Sequence, residues 1–524
     1  MRETFRQSMA WLHTWVGLLL GWLLYFMFIT GTAGYFDTEI DRWMQPELPV
    51  AHTQATPVET LSAAFQRLHK VAPDASRWFI TLTGDRNNPY PGIFWQGAGG
   101  RGEELLDPST GAPPEARSTA GGQLLYQMHW RLHYLPRSVS DWIVVLASML
   151  MLVALISGIV VHKKIFKDFF TFRPKKGQRS WLDAHNVASV ISLPFQLMIT
   201  YSGLVFMMFS VMPLTVSAFY GVDAEGRQSF FGEAFPGPEQ ITVMGESAPL
   251  ASAVNLMEGF AAGREAETPR YLVVSNPGDA NARVTVGYGE LAGPLQRDAV
   301  LVLDGVTAKA LDTQPADVPM GRLSRDLLVG LHEGLFAGPL LRGLYFLSGL
   351  LGAAMIATGL VLWTVKRRQR ADRTGEHHAG LRLVESLNVA TIAGLPLAIA
   401  AYFWANRLLP VGWEARAQWE INILFIVWAC LFLHAGLRAS GKAWVEQLAG
   451  AALTFFLLPF LNALTTDRPL WQSVAVGDWI FVGFEFCVLV ISLGFAAAAF
   501  YLWRHQRQSL KGIVTGTGTA EAQS

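Results

Sequence analysis

The chain has 524 residues, of which 51% are hydrophobic, a mean hydropathy of +0.28 and no formal net charge at pH 7. This composition excludes an ordinary water-soluble protein, because such proteins do not carry many long uncharged stretches. The balanced charge gives no indication of nucleic acid as a partner.

Eight apolar stretches are each long enough to cross about 30 Å of hydrocarbon as a helix. The chain is therefore predicted to be an α-helical polytopic membrane protein that is embedded in lipid. Arg2 and Arg6 precede the first stretch, which is too long for a cleaved signal peptide and is interpreted as an anchor. The predicted spans are Trp11–Phe36, Trp142–His162, His185–Met212, Gly343–Val365, Ser386–Ala405, Ile421–Leu437, Gln447–Thr466 and Trp479–Trp503.

Basic residues predict the orientation, because Lys and Arg favour cytoplasmic loops. They are dense after the second span, after the fourth span and in the tail, whereas the other short loops hold only Arg407, Arg416 and Arg468. Both termini are therefore predicted to be cytoplasmic and the two long segments external.

The spans and the segments between them divide the chain into eight predicted parts. They are 1–36 for span one, 37–140 for the first external module, 141–214 for spans two and three with their basic loop, 215–340 for the second module, 341–366 for span four, 367–385 for a loop, 386–504 for spans five to eight and 505–524 for the tail.

The first four spans form two copies of a helix–module–helix unit. Span one reads ITGTAGYF where span three reads ITYSGLVFM, and span two ends in SGIVVHKK where span four ends in TGLVLWTVKRR. The Ser/Thr-Gly pairs favour close helix approach. Each external segment reads as a helix followed by antiparallel strands, which predicts a small α+β module.

Histidines recur at the ends of these four spans. His13 and His185 each lie 18 positions before a glycine, Gly31 and Gly203. Imidazole binds iron well, and buried polar rings in lipid need a partner. The predicted topology sorts six histidines into two layers, which suggests two haems. The cytoplasmic layer is His13, His162 and His185, and the external layer is His129, His133 and His332.

Each layer has one histidine more than a bis-histidine haem requires. The repeat favours His13 with His185 and His133 with His332, while His162 remains a rival and His129 is left to contact a propionate or a substrate. Two alternatives stay open: interfacial rings in aromatic belts, or another metal. Four arginines near the histidines either pair with propionates or anchor the helices at the interface: Arg131, Arg137, Arg173 and Arg342.

Cysteine usage limits the type of haem. The two cysteines, Cys430 and Cys487, lie inside predicted spans, and no Cys-x-x-Cys-His motif occurs. Any haem is therefore predicted to be haem b, held by axial ligands alone. Spans five to eight lack the histidine pattern, but Glu485 lies within span eight and is either a proton or quinone site or a neutral group bonded to a neighbouring helix.

Several stretches together resemble the PepSY-associated transmembrane family over about residues 1–370. They are LHTWVGLLLGWLLYFMFITGTAGYFD, MHWRLHYLP, GIVVHKKIFKDFFTFRPKKGQRSWLDAHN and LHEGLFAGPLLRGLYFLSGL with TGLVLWTVKRR. The resemblance implies PepSY-like periplasmic modules, a haem-binding core and a bacterial inner membrane. It also implies reduction of periplasmic ferric siderophores, and spans five to eight resemble an extension of longer members.

The resulting hypothesis is haem-dependent electron transfer that reduces a ferric siderophore or another ferric chelate. No Gly-rich nucleotide-binding signature occurs, so the electron donor is expected to be another protein, a cytoplasmic reductant or a quinol. One alternative is an iron or siderophore transporter, for which Pro194, Pro396 and Pro459 in the spans are the supporting residues. Another is a haem-free sensor or assembly protein whose external modules bind a partner.

Overall fold

The structure is a computed structural model and describes residues 4–49, 55–82, 90–107, 110–162, 173, 176–208, 213–234, 243–264, 267–289, 293–295, 299–311, 320–376 and 378–520. These residues form two compact units. The helical unit comprises Met1–Pro46, Arg117–Leu204 and Leu340–Ser524, and the sheet unit comprises Glu47–Ala116 and Val205–Pro339. Most of the basic loop predicted after span two lies outside the described residues.

The elements follow the repeat in chain order. They are α1 (Phe5–Gly34), α2 (Asp37–Met44), α3 (Pro57–Val71), β1 (Ala75–Thr81), β2 (Gly92–Gly97), β3 (Gly100–Leu105), α4 (Gly121–Trp130), α5 (Arg137–Val161), α6 (Gln178–Phe206), α7 (Pro213–Tyr220), α8 (Ala224–Ala234), α9 (Ala253–Gly263), β4 (Pro269–Ser275), β5 (Arg283–Tyr288), β6 (Ala299–Asp304), α10 (Met320–Glu333), α11 (Pro339–Thr374), α12 (Ala379–Ile392), α13 (Gly394–Leu408), α14 (Arg416–Leu437), α15 (Ser440–Thr465), α16 (Leu470–Ala475) and α17 (Trp479–Ala520).

Eight helical stretches of the described chain are long and apolar enough to cross a membrane, which confirms the predicted fold class. They are Phe5–Gly34, Arg137–Val161, Gln178–Phe206, Pro339–Thr374, Ala379–Leu408, Arg416–Leu437, Ser440–Thr465 and Trp479–Gln508. Several helix ends differ from the predicted ones: α1 begins before Trp11, and α6 ends at Phe206 rather than Met212. Hydropathy marks the apolar part of a helix, whereas backbone hydrogen bonding continues into polar turns.

The fifth span consists of two helices, α12 and α13, which meet at Ala393. Pro396 causes the break, because it has no N–H to donate to the carbonyl four residues earlier. That carbonyl, on Ile392, instead accepts a hydrogen bond of 3.2 Å from the Tyr25 hydroxyl of α1. The break therefore leaves no unpaired carbonyl at Ile392 and joins the last four spans to the first.

The sheet unit contains one antiparallel sheet with the strand order β3-β2-β1-β4-β5-β6. Each external segment supplies a helix and three strands, as the α+β prediction requires. The two halves join where β1 pairs with β4, with Phe79 opposite Val273. The sequence did not predict this pairing: the two predicted modules form one continuous sheet.

The core of the sheet unit lies on one face of the sheet. Trp78 and Ile80 alternate with more exposed residues along β1, and Leu272 and Val274 do so along β4. All four are fully buried in one cluster with the apolar sides of α3 and α9. The period of two in the strands thus gives the sheet a single covered face. Residues 37–46 and 117–140, predicted to belong to the first module, instead belong to the helical unit.

Candidate functional site: histidine pairs between the first four spans

His13 on α1 faces α5. Its ring Nδ1 lies 2.9 Å from the carbonyl oxygen of Ala154. A carbonyl can only accept, so Nδ1 carries the hydrogen and the neutral ring keeps its free electron pair on Nε2. The ring lies against Gly158, where an added Cβ would be 3.1 Å from Cε1.

His185 on α6 makes the same contacts with α11. Its Nδ1 lies 2.8 Å from the carbonyl oxygen of Met355. The ring lies against Gly359, where an added Cβ would be 3.2 Å from Cε1. The two halves of the repeat therefore hold their first histidine in the same way.

His129, near the end of α4, makes the third contact of this kind, with α1. Its Nδ1 lies 2.8 Å from the carbonyl oxygen of Met27, and a Cβ on Gly31 would be only 2.5 Å from Nδ1. Burial lowers the pKa of His129, so the ring is neutral and suited to metal ligation.

We call this arrangement a histidine seat: a backbone carbonyl that accepts from Nδ1, a Ser or Thr three residues later and a Gly four residues later. The hydroxyl donates to the same carbonyl, over 3.1 Å from Ser157, 3.0 Å from Thr358 and 3.3 Å from Thr30. The glycine leaves room for the ring. In α6, Ser202 donates to Ile199 over 3.3 Å and precedes Gly203, so this helix contains the residues of a fourth seat.

The rings of His13 and His185 lie together, with centroids 6.2 Å apart and planes inclined by 67°. Two imidazoles that bind one transition metal ion from opposite sides, each at about 2.0 Å, have centroids roughly 6 Å apart. Neither Nε2 makes a hydrogen bond with any residue that the structure describes. His162 lies at the C-terminal end of α5, where its backbone N–H donates to the carbonyl of Gly158 over 3.1 Å.

The local structure changes the repeat assignment of the external layer. His129 is the last residue but one of α4, and His332 is the last but one of α10. Each is followed seven residues later by a proline. Pro136 follows His129 and lies immediately before α5, and Pro339 follows His332 and is the first residue of α11. His129 is thus the equivalent of His332, and the equivalence of His133 with His332, which was the reason for the predicted pairing, does not hold.

In the aligned halves, Phe336 occupies the position of His133. The His133 ring stacks on Phe425 of α14, with centroids 6.3 Å apart and planes inclined by 20°. Burial, with the charge of Arg131, lowers the pKa of His133, which keeps the ring neutral. The ring of His332 lies edge-on to Phe206, with centroids 5.3 Å apart.

Two of the four arginines are committed to acidic partners. Arg173 donates to Asp183 through both Nε and Nη2, each over 2.9 Å, and Arg137 is an exposed side chain 3.9 Å from Asp141. Arg131 is exposed. None of these three is buried as a dedicated anion ligand would be.

Arg342 differs from the others because it is largely buried. Its Nη2 lies 3.3 Å from Glu39 and its guanidinium lies 5.2 Å from the centre of the Phe36 ring. Nε and Nη1 are buried and have no hydrogen-bond partner among the described residues. In α11, the Nε1 of Trp363 is likewise buried without a partner in the described chain. Unpaired buried donors are costly, so each of these two groups is suited to binding an acceptor.

A second polar cluster, which the sequence did not predict, joins α2 and α4 to the last four spans. Arg416 and Glu420 of α14 form a fully buried ion pair of 2.5 Å, and Arg42 of α2 pairs with Asp478 over 2.5 Å. Glu485 accepts hydrogen bonds from Asn462 over 2.9 Å and from Trp43 over 3.4 Å, and its Oε2 is buried with no partner in the described chain. Glu485 is thus hydrogen-bonded to a neighbouring helix, which was one of the two interpretations of this residue in the sequence.

Within the described residues, no three His, Cys, Asp or Glu side chains come together as a metal site.

Asp41 links this cluster to α4. Its Oδ1 accepts from the backbone N–H of Gly122 over 2.7 Å, while Glu420 Oε2 accepts from that of Ala120 over 3.0 Å. Gly121 between them has a φ of +63°, and a Cβ there would lie on Asp41. Burial raises the pKa of Asp41 to about 7. The start of α4 is therefore fixed by carboxylates, and His129 lies at the other end of the same helix.

Two comparisons relate this chain to known proteins. A Pseudomonas aeruginosa protein named Uncharacterized protein PA4219 is 25% identical over 328 residues, which cover 58% of this chain and 77% of that protein. The model of the PepSY-associated TM region matches residues 10–366, which end within α11, so that α12 to α17 lie beyond it. The chain belongs to the PepSY-associated transmembrane family.

Proposed function

We propose that this membrane protein binds two b-type haems between its first four spans and conducts electrons across the membrane to a ferric chelate, such as a ferric siderophore, outside. The observation that carries the proposal is the His13–His185 pair. Both rings hold Nδ1 to a backbone carbonyl, have a free Nε2 and lie 6.2 Å apart at their centroids. Fixing one ring nitrogen in this way sets the tautomer and direction of a metal-ligating histidine.

The residues fit haem in three further respects. The chain offers histidine ligands with no cysteine motif, which is the donor set of a b-type haem. The unpartnered N–H groups of Arg342 suit an anionic propionate. The repeat supplies two further candidate ligands at equivalent positions of the sequence, His129 and His332, with a fourth Ser-Gly pair on α6.

Two layers of histidine ligands would divide the path of an electron across the membrane into shorter steps. The Met27 carbonyl, to which His129 is bonded, lies 14 residues after His13 on α1, which is about 21 Å along a helix. When bound, haem iron supplies one-electron redox chemistry, and the chain supplies the ligands, their orientation and the apolar surroundings. One electron converts Fe(III) in a chelate to Fe(II), which oxygen chelators hold less tightly. The inner bacterial membrane with both termini in the cytoplasm is the location that this direction of transfer requires.

Reoxidation by a ferric chelate tests the proposal. The purified chain is reduced with a limiting amount of dithionite, a ferric hydroxamate is added, and Fe(II) is captured by a ferrous-specific chromophore. We expect loss of the reduced haem spectrum with one Fe(II) formed per electron. A reduced spectrum that persists, with uptake of the intact chelate by vesicles in the absence of reductant, would instead identify a transporter.

Substitution of Gly31 by alanine is expected to remove the external haem and to leave the other in place. The new Cβ would lie 2.5 Å from Nδ1 of His129, so the ring has to leave its seat. The matched control is Gly17→Ala in the same helix, because no atom lies within 4 Å of a Cβ there. Both changes raise helix propensity equally. Equal haem content in the two purified variants would contradict the role of the seat.

A further inference from the structure

His133 is a histidine with no seat and no counterpart in the second half of the repeat, where Phe336 occupies its position. Its ring is held by contact alone, stacked on Phe425 of α14 and edge-on to Tyr134 at 4.8 Å between centroids. Its ring nitrogens make no hydrogen bond with any described residue. A free imidazole is thus present four residues after His129, a candidate haem ligand.

Other hydrogen-bonding groups surround this ring. The Tyr134 hydroxyl donates to Oδ1 of Asn422 over 2.7 Å, and Nε2 of Gln418 donates to the same oxygen over 3.2 Å. The Nδ2 group of Asn422 has no acceptor among the described residues. An acceptor nitrogen, a phenol and an amide donor therefore lie together beside the flat face of Phe425.

The helices on both sides of this group present apolar side chains outward. On α5, Trp142 is 57% and Leu146 is 54% exposed, and on α14, Ile426 is 53% exposed. In a membrane-spanning helix such faces contact lipid. Tyr134 of the polar group is itself 56% exposed, so the group is accessible from outside the protein.

We propose that His133, Tyr134, Asn422 and Phe425 form a binding site for the headgroup of a membrane quinol, which donates electrons at the external layer in addition to those that cross the membrane. A quinol has a flat ring for Phe425, two hydroxyl groups for the imidazole and amide, and an apolar tail for the faces of α5 and α14. A soluble ferric chelate has no such tail. This inference rests on the proposed function, because the electrons need an acceptor on the histidine-bound haems.

The step balances with the ferric chelate as oxidant. One quinol loses two electrons and the two hydroxyl protons, and becomes the quinone. Two ferric ions would each gain one of these electrons, and the haems held by the histidines would supply the one-electron chemistry. His133 accepts the first proton from the hydroxyl to which it is hydrogen-bonded and passes it to water, and the second proton follows.

The test uses the haem-loaded full chain in detergent, with decylubiquinol as the probe and stopped-flow recording of haem reduction. The variant is His133→Phe, which introduces the residue of the equivalent position and keeps the stack on Phe425. We expect reduction by decylubiquinol to slow by about tenfold, the size of one lost hydrogen bond. Reduction by dithionite and reoxidation by a ferric hydroxamate should stay unchanged. The control is His69→Phe, in the exposed part of α3.

The outcomes separate this inference from the proposed function. A chain without haem would overturn both. A chain that dithionite reduces and decylubiquinol does not, or a His133→Phe variant as fast as the wild type, would overturn the quinol site alone. Normal quinol reduction with slow reoxidation by the chelate would make this a chelate site and also overturn the inference. If His133→Phe fails to accumulate, Asn422→Leu is measured in the same way with the same criterion.

Discussion

Replacement of His185 by alanine is expected to remove about half of the bound haem and to halve the Fe(II) formed per dithionite-reduced chain in the ferric-chelate assay. The change deletes the imidazole whose ring lies 6.2 Å from that of His13, and one imidazole cannot hold a bis-histidine haem. The other candidate ligands, His129 and His332, are unchanged, so the second haem of the proposal is expected to remain. The measurement is haem per chain in purified protein, with the chelate assay on the same sample.

Two further variants are measured for comparison, one in the other histidine layer and one as a control. His332→Ala should also remove about half of the haem, with a different residual spectrum, because it depletes the other layer. His69→Ala, on α3 of the sheet unit, should leave the haem content unchanged. Full haem content in both His185→Ala and His332→Ala would refute the assignment by repeat.

Replacement of Glu420 by alanine is expected to destabilise the protein by about 3–5 kcal/mol, the usual cost of removing one partner of a buried ion pair. The Arg416 guanidinium would lose its carboxylate in a fully buried position. The side chain of Thr119 and the backbone N–H of Ala120, which both donate to Glu420, would also lose their acceptor at the start of α4. Because α4 ends with His129, we expect weaker haem retention as well.

The control for this prediction is Glu446→Ala, in a second glutamate–arginine pair of the last four spans. Glu446 pairs with Arg438 and lies 2.9 Å from Nε2 of His434, but its side chain is 36% exposed. An exposed pair contributes below about 1 kcal/mol. The thermal unfolding midpoints of the two variants are measured in the same detergent and compared. Equal midpoints would show that burial of the Arg416–Glu420 pair is not important for stability.

The eight long apolar helices were predictable, because the length of an apolar run indicates whether a helix can cross the membrane. Hydropathy did not predict the positions of two arginines in the last four spans. Arg407 and Arg416 were assigned to a water-exposed loop, but they are 5% and 0% exposed. Hydropathy cannot distinguish a charge in water from one that is paired inside a bundle, since the pairing partner lies on another helix.

The histidines of the candidate site could be selected from the sequence, and their role as haem ligands stays a prediction. The Ser/Thr-Gly pairs were noticed, but their function as seats depends on a carbonyl four residues before the glycine, and a backbone atom leaves no sequence signal. The equivalence of His129 with His332 was available in the sequence, because each lies seven residues before a proline. The pairing of β1 with β4 joins strands far apart in the chain, and nothing local in either strand specifies it.

The most direct test of the central claim is the visible spectrum of the detergent-purified protein, oxidised and then reduced with dithionite, with haem quantified per chain. The paired histidine seats predict a Soret shift on reduction, sharp α and β bands and about two haems per chain. A colourless protein, prepared from cells supplied with haem, would contradict the claim that these histidines exist to bind it.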